Sequence, residues 1–175
     1  MKKLIKSKIG ILGGTFDPAH KGHIKISKEA KKKFGLKKIF WIITKKNPFK
    51  KKSQLSLKER ISYAKKLNIN NKFIKICFFE DKIKSNKTID LLNYLKKHFK
   101  GSELFFIMGA DNLINFHKWQ KWKKIVEICK ILVFDRTGFK RKSLKSISFK
   151  RLNKKGLKFI NFKKVDISSS KLRKI

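Results

Sequence analysis

His20 and His23 follow a glycine pair, Gly13-Gly14, and an Asp17-Pro18 step. Three residues apart, the imidazoles share a face if both lie in a first helical turn. Gly22 between them has no side chain and leaves room for a ligand against the backbone. A helix N-terminus brings free N–H groups and the positive end of a dipole. With two imidazoles beside it, the position suits an anion, and a phosphate best of all. Pro18 fixes its own φ and biases Asp17 away from the helical region, so the chain bends there before the helix. Gly13 and Gly14 predict a sharp turn and a close approach of another group to the backbone.

Two other phosphate-binding patterns do not fit. A P-loop needs G-x-x-x-x-G-K-[ST], and here His23 follows Gly22. A dinucleotide fingerprint needs G-x-G-x-x-G with an acidic residue near the end of the second strand. This chain has Gly10, Gly13 and Gly14, and its second apolar run ends in Lys45-Lys46.

The elements that must carry these residues are readable from periodicity. Ile9, Ile11 and Leu12 form a short apolar run suited to a buried parallel strand. A helix is predicted from Lys21 to Lys33, ending near Gly35. Further strands are predicted at 39–43, 73–79, 104–108, 131–134 and 157–162. Helices are predicted from a Ser56/Glu59 capping box to Leu67, from Thr88 to Phe99, and through Phe116, Trp119 and Trp122. Residues 135–153 read as a polar, basic connection, and Ser168 starts a short terminal helix. Strands alternating with helices, without hairpin turns, predict an open parallel sheet of about five to six strands with helices on both faces. Residues 1–175 read as one domain. Ligands of such sheets bind beyond the carboxyl ends of the strands, where 13–23, 44–50, 85–90, 109–122 and 135–138 all fall.

Composition bounds the partners. The 175 residues carry 49 Lys and Arg against 11 Asp and Glu, a net charge of +38. The basic residues are nearly all Lys and are spread along the chain. They predict a solvated surface that attracts polyanions non-specifically rather than a dedicated nucleic-acid face. No apolar run approaches the roughly 18 residues of a membrane span, and the basic N-terminus lacks a signal peptide's apolar region. A cytoplasmic location is expected. Cys77 and Cys129 are too few for a disulfide framework and both read as buried thiols. Oligomeric state is not legible.

The segment Gly14-Thr-Phe-Asp-Pro18, followed by His20-Lys-Gly-His23, resembles the T/H-x-G-H nucleotidylyltransferase superfamily. Later segments are similar to the bacterial nicotinate mononucleotide adenylyltransferase family. They are Gly109-Ala-Asp111 with Trp119 and Trp122, Phe134-Asp-Arg-Thr-Gly138, Ser85 to Asp90, and Ile167-Ser-Ser-Ser-Lys-Leu-Arg173. The motifs cover essentially the whole chain in the family's order. The resemblance implies a Rossmann-like fold and transfer of AMP from ATP to nicotinate mononucleotide, giving deamido-NAD and pyrophosphate in NAD biosynthesis. Mg²⁺ would enter on the ATP phosphates, without a dedicated protein metal site.

By the same resemblance, His20, His23 and Arg173 are the catalytic residues. Gly13, Gly14, Thr15, Phe16 and Gly22 join the two histidines around ATP. Gly109, Asp111, Ser168, Ser169, Ser170 and Arg173 complete that site. Lys50, Thr88, Asp111 and Trp119 take the second substrate, with Trp119 stacking on the pyridine ring; Trp122 is assigned to the core. Thr88 and Asp111 also fit a plain role as helix caps. One departure from the family is Asn47-Pro-Phe-Lys50, which lacks the usual histidine, so only Lys50 is carried over. A phosphopantetheine adenylyltransferase shares the first motif but does not explain Gly109-Ala-Asp111 with the tryptophans. A basic nucleic-acid-binding protein on an inactive nucleotidylyltransferase fold does not explain the intact His20 and His23.

Overall fold

The computed structural model describes residues 6–46, 53–153 and 155–162. Six parallel strands form one sheet in the order β3-β2-β1-β4-β5-β6. In sequence they are β1 (Lys8–Gly14), β2 (Lys38–Ile43), β3 (Ile74–Cys77), β4 (Glu103–Gly109), β5 (Lys130–Phe134) and β6 (Leu157–Ile160). Between them run α1 (Lys21–Phe34), α2 (Leu57–Leu67), α3 (Glu80–Ile83), α4 (Thr88–His98), α5 (Ala110–Asn115), α6 (Trp122–Ile128), α7 (Lys140–Leu144) and α8 (Ile147–Leu152).

The strand pleat divides the core in two. Ile9, Ile11, Phe106, Met108, Ile131 and Val133 point to one face, against residues of α4, α5, α6 and α8. Leu12, Ile39, Trp41, Ile43, Phe105, Ile107, Leu132 and Phe134 point to the other, against residues of α1 and α2. Apolar side chains on both faces explain why the strands read as continuous apolar runs. The expected α/β architecture is the one observed. The strand order reverses between β1 and β4, so their carboxyl ends, Gly14 and Gly109, flank the crevice where such sheets hold ligands. Among the described residues no helix is long and apolar enough to cross a membrane.

Several local expectations are corrected. β1 continues through Gly14, so Gly13 and Gly14 do not make the turn. The bend comes after them, at Phe16 with φ 48° and at a cis Asp17-Pro18 peptide. The crowded glycine is Gly10, where a Cβ would lie 2.9 Å from both Ile39 and Leu36 side chains. At Gly13 and Gly14 the nearest protein atoms to an added Cβ stand at ordinary contact distance.

The aromatic helix is not continuous. After α5 the chain makes a 3-10 turn at Phe116–Lys118, extends at Trp119 and turns left-handed at Lys121 with φ 51° before α6 begins. Phe116, Trp119 and Trp122 are therefore not one helical stripe. The connection 135–153 contains α7 and α8, the latter capped by Ser146, whose hydroxyl accepts from Phe149 N–H at 3.2 Å. The third strand keeps only Ile74–Cys77 of the expected 73–79, because the turn hydrogen bond from Ile74 N–H to the Asn71 carbonyl precedes it and α3 follows closely. Cys77 is half-buried rather than buried, whereas Cys129 is 5% exposed. The expected helix start at Ser168 lies outside the described residues.

Candidate active site

Helix α1 begins with both histidines, though not as two residues of one turn. His20 is the N-cap, in extended conformation at φ −150°. Its Nδ1 accepts from Gly22 N–H at 3.1 Å. His23 stands three residues on, and its Nδ1 accepts the His20 backbone N–H at 3.2 Å. The pair makes a reciprocal capping box in which imidazole nitrogens replace the usual hydroxyl and carboxylate. The rings lie 3.9 Å apart between centroids. An Nδ1 that accepts carries no proton, so each neutral ring holds its proton on Nε2. The first turn of α1 carries no acidic residue, leaving its positive dipole end uncompensated by carboxylates on the helix.

The turn leading to α1 is held by two charged side chains. Asp17 is 3% exposed. Its carboxylate accepts from the backbone N–H groups of Gln54 and Leu55, at 2.9 and 3.0 Å. Arg60 of α2 is 2% exposed. It donates to the carbonyls of Thr15 and Thr44 at 2.7 Å each, and to those of Lys45 and Leu55 at 3.2 Å. Burial works against its charge, while nearby Asp17 and Glu80 support it. The carboxyl ends of β1 and β2 and the start of α2 are thus tied at one guanidinium. Arg60 was missed in the sequence, yet a signal existed. In a lysine-rich chain it is the first arginine, and the next is Arg136. Where Lys is the default cation, an Arg marks a place that needs a planar fork.

Arg136 follows β5 and pairs with Asp111 at 2.5 Å. Asp111 lies in the first turn of α5 and does not cap it; the N-cap is Gly109. A Cβ on Gly109 would sit 2.5 Å from Asp111 Oδ1, so the glycine makes room for the carboxylate. Thr88 is the first residue of α4, whose N-cap is Lys87, so its role as a cap is excluded. Ser85 donates to Asp90 at 2.7 Å and accepts from Lys87 N–H at 3.1 Å, shaping the approach to Thr88. A cavity of about 490 Å³ opens there, lined by Lys45, Glu80, Asp81 and residues 84–87. Trp119 is half-buried and meets Phe106 and Phe116 edge-on, at 6.0 and 5.2 Å. Trp122 packs against the same core.

Phe16 is 2% exposed, so its ring belongs to the core. Thr15 presents its carbonyl to Arg60. The structure therefore brings residues 13–23 to the crevice flank formed by β1, and Gly109 and Asp111 to the flank formed by β4. Lys50, Ser168, Ser169, Ser170 and Arg173 lie outside the described residues. Among the described residues no cluster of three or more His, Cys, Asp or Glu is placed to hold a metal ion.

A cytidylyltransferase-like family model matches residues 11–175. A protein of Pelagibacter ubique described as a "probable nicotinate-nucleotide adenylyltransferase" is 65% identical over 170 residues, covering 97% of this chain and 94% of that protein. The chain belongs to the nicotinate-nucleotide adenylyltransferase family. A relative of the same description from Agrobacterium fabrum is 38% identical over 131 residues, covering 74% of this chain and 70% of its own. In fold, this adenylyltransferase-family chain matches the Plasmodium falciparum nicotinic acid mononucleotide adenylyltransferase complexed with NaAD. The TM-score is 0.75 at 23% identity, covering 96% of this chain and 83% of that one.

Proposed function

We propose that this chain transfers AMP from ATP to nicotinate mononucleotide, releasing pyrophosphate and forming deamido-NAD. The observation that carries the reading is the pair of imidazoles capping α1 beside the β1/β4 crevice, in a chain 65% identical to a nicotinate-nucleotide adenylyltransferase-family protein. The nicotinate phosphate attacks the α-phosphorus of ATP in line. A phosphate monoester is already a nucleophile at neutral pH, so the protein's work is positioning and electrostatics.

His20 and His23 donate from Nε2 to the ATP phosphates and to the charge that grows in the transition state. Arg173 and Lys50 neutralise the departing pyrophosphate. The stretch of Gly13, Gly14, Thr15 and Phe16, with Gly22 at the start of α1, takes the phosphate chain. Gly109 and Asp111 take the ribose; Arg136 holds one carboxylate oxygen of Asp111 and leaves the other to accept a hydroxyl. Ser168, Ser169 and Ser170 complete the ATP side. Thr88 and the exposed part of Trp119 meet the nicotinate end. Mg²⁺ enters as a companion of the ATP phosphates; near the crevice Asp17 accepts from backbone N–H groups and Asp111 from Arg136. Bound there, it would neutralise phosphate charge. We take residues 1–175 as one nucleotidylyltransferase domain acting in the cytoplasm, with polyanions held only non-specifically.

The test is pyrophosphate release with Mg-ATP and, in parallel, nicotinate mononucleotide, nicotinamide mononucleotide and phosphopantetheine. Preference for nicotinate mononucleotide is expected. Release only with phosphopantetheine would refute the acceptor and leave the α1 site standing.

A further inference from the structure

Phe16 holds a left-handed backbone conformation, which is costly for a residue with a bulky side chain. That conformation accompanies an inward-facing ring. The ring stacks on the Trp41 indole, with centroids 5.0 Å apart and planes 17° from parallel. It also lies against the His23 imidazole at 4.8 Å. The indole meets His23 directly, edge-on at 5.7 Å. On the polar side, Trp41 Nε1–H donates to Ser27 Oγ at 2.8 Å, and the Ser27 hydroxyl donates to the His23 carbonyl at 2.9 Å. Trp41 and Ser27 are both 0% exposed. His23 is therefore held at its ring by Phe16 and Trp41, and at its main chain by a hydroxyl that the same indole orients.

We propose that Trp41 and Ser27 are positioning residues for the His23 imidazole, fixing the line along which its Nε2–H points. This rests on the adenylyl-transfer reading of the site. The Nδ1 bond to His20 N–H anchors one edge of the ring, and the Phe16, Trp41 and His20 rings set its plane. A hydrogen bond weakens steeply with misalignment. A donor that serves a transition state must also be in place before the charge develops. Neither residue lies in a catalytic motif. Trp41 sits mid-strand in β2 and Ser27 in the second turn of α1, and only packing of α1 on the sheet brings them together.

Ser27→Ala and Trp41→Phe test this, each measured for kcat, KM for Mg-ATP, thermal midpoint and the ring NMR signals of His23 in the free protein. The Ser27 hydroxyl bonds the His23 carbonyl and the Trp41 indole, so a changed His23 ring signal in Ser27→Ala reports movement of the ring against its aromatic neighbours. Both variants are expected to shift those signals. Each should lower kcat about tenfold or more, with KM for Mg-ATP changed less than about twofold, at temperatures where the protein is folded. His23 signals and kcat at wild-type values in Ser27→Ala would overturn the proposal. So would a loss of activity that only tracks the folded fraction. Absence of adenylyl transfer by the wild-type protein would instead overturn the functional reading, and the ring signals would still decide the positioning claim.

Discussion

At the scale of single residues, the two histidines do structural and chemical work with different nitrogens of the same ring. Nδ1 terminates α1, and Nε2 carries the proton that the proposed chemistry uses. His23→Ala therefore removes a cap as well as a donor. It should cut turnover by about 10²–10³ and cost about 1 kcal/mol of stability. His23→Gln can restore the cap through its side-chain oxygen, since Gln suits that position of a capping box. Its thermal midpoint should approach wild type while turnover stays low; recovery of both would show that the imidazole is dispensable. The spacing of His20 and His23 was legible in the sequence. Their division between N-cap and first turn was not, because histidine is not among the residues that usually cap. The thiols give a second check. Burial pushes Cys129 up to about 12, and raises Cys77 as well. A thiol reagent at neutral pH should label Cys77 slowly and Cys129 only on unfolding. Because the Cys129 thiol is raised in the folded state, its contribution to stability is intact at neutral pH and is lost as alkaline pH rises toward that value.

At the scale of elements, the site depends on a tie between three segments that no local pattern joins. Asp17 reaches from the first turn to the backbone before α2, and Arg60 reaches back from α2 to the ends of β1 and β2. Arg60→Ala leaves several carbonyls without their donor and should cost about 2–4 kcal/mol. It should also raise KM for Mg-ATP, because Thr15 is no longer held. Arg60→Lys should recover little, since an ammonium cannot span acceptors on three segments. Thermal denaturation and steady-state kinetics of the two variants decide the point, and a lysine variant equal to wild type would refute the need for a fork. Strands and long helices were readable because two-sided burial leaves apolar runs. The Ser56/Glu59 box was readable because both side chains cap as expected. The break between α5 and α6 was not readable, because its left-handed residue is Lys121 rather than glycine.

At the scale of the whole molecule, charge and topology meet at one edge of the sheet. Exposed Lys45 and Lys46 follow β2, and Lys84 and Lys87 rim the cavity near α4. With a net charge of +38, these lysines should draw anionic substrates toward the crevice. KM for Mg-ATP should rise several-fold between about 0.05 and 0.5 M salt, as screening shortens the reach of that field to about 4–14 Å. Kinetics across a salt series check this; a flat KM would confine the charge to solubility. The alternation of strands and helices was plain in the sequence, but strand order was not. The sequence shows which runs are buried and says nothing of which run lies beside which. The crevice between β1 and β4 was visible only once the chain had folded.

The imidazole capping box also constrains inheritance. A descendant of this chain freed from catalysis could not discard both histidines at will, because α1 would lose its start. The replacements open to it are oxygen-bearing ones, such as Ser, Thr, Asp or Asn at position 20 and Gln or Glu at position 23. A lineage that had drifted into a purely binding or scaffolding life would thus keep the helix and show oxygens where the ring nitrogens stood.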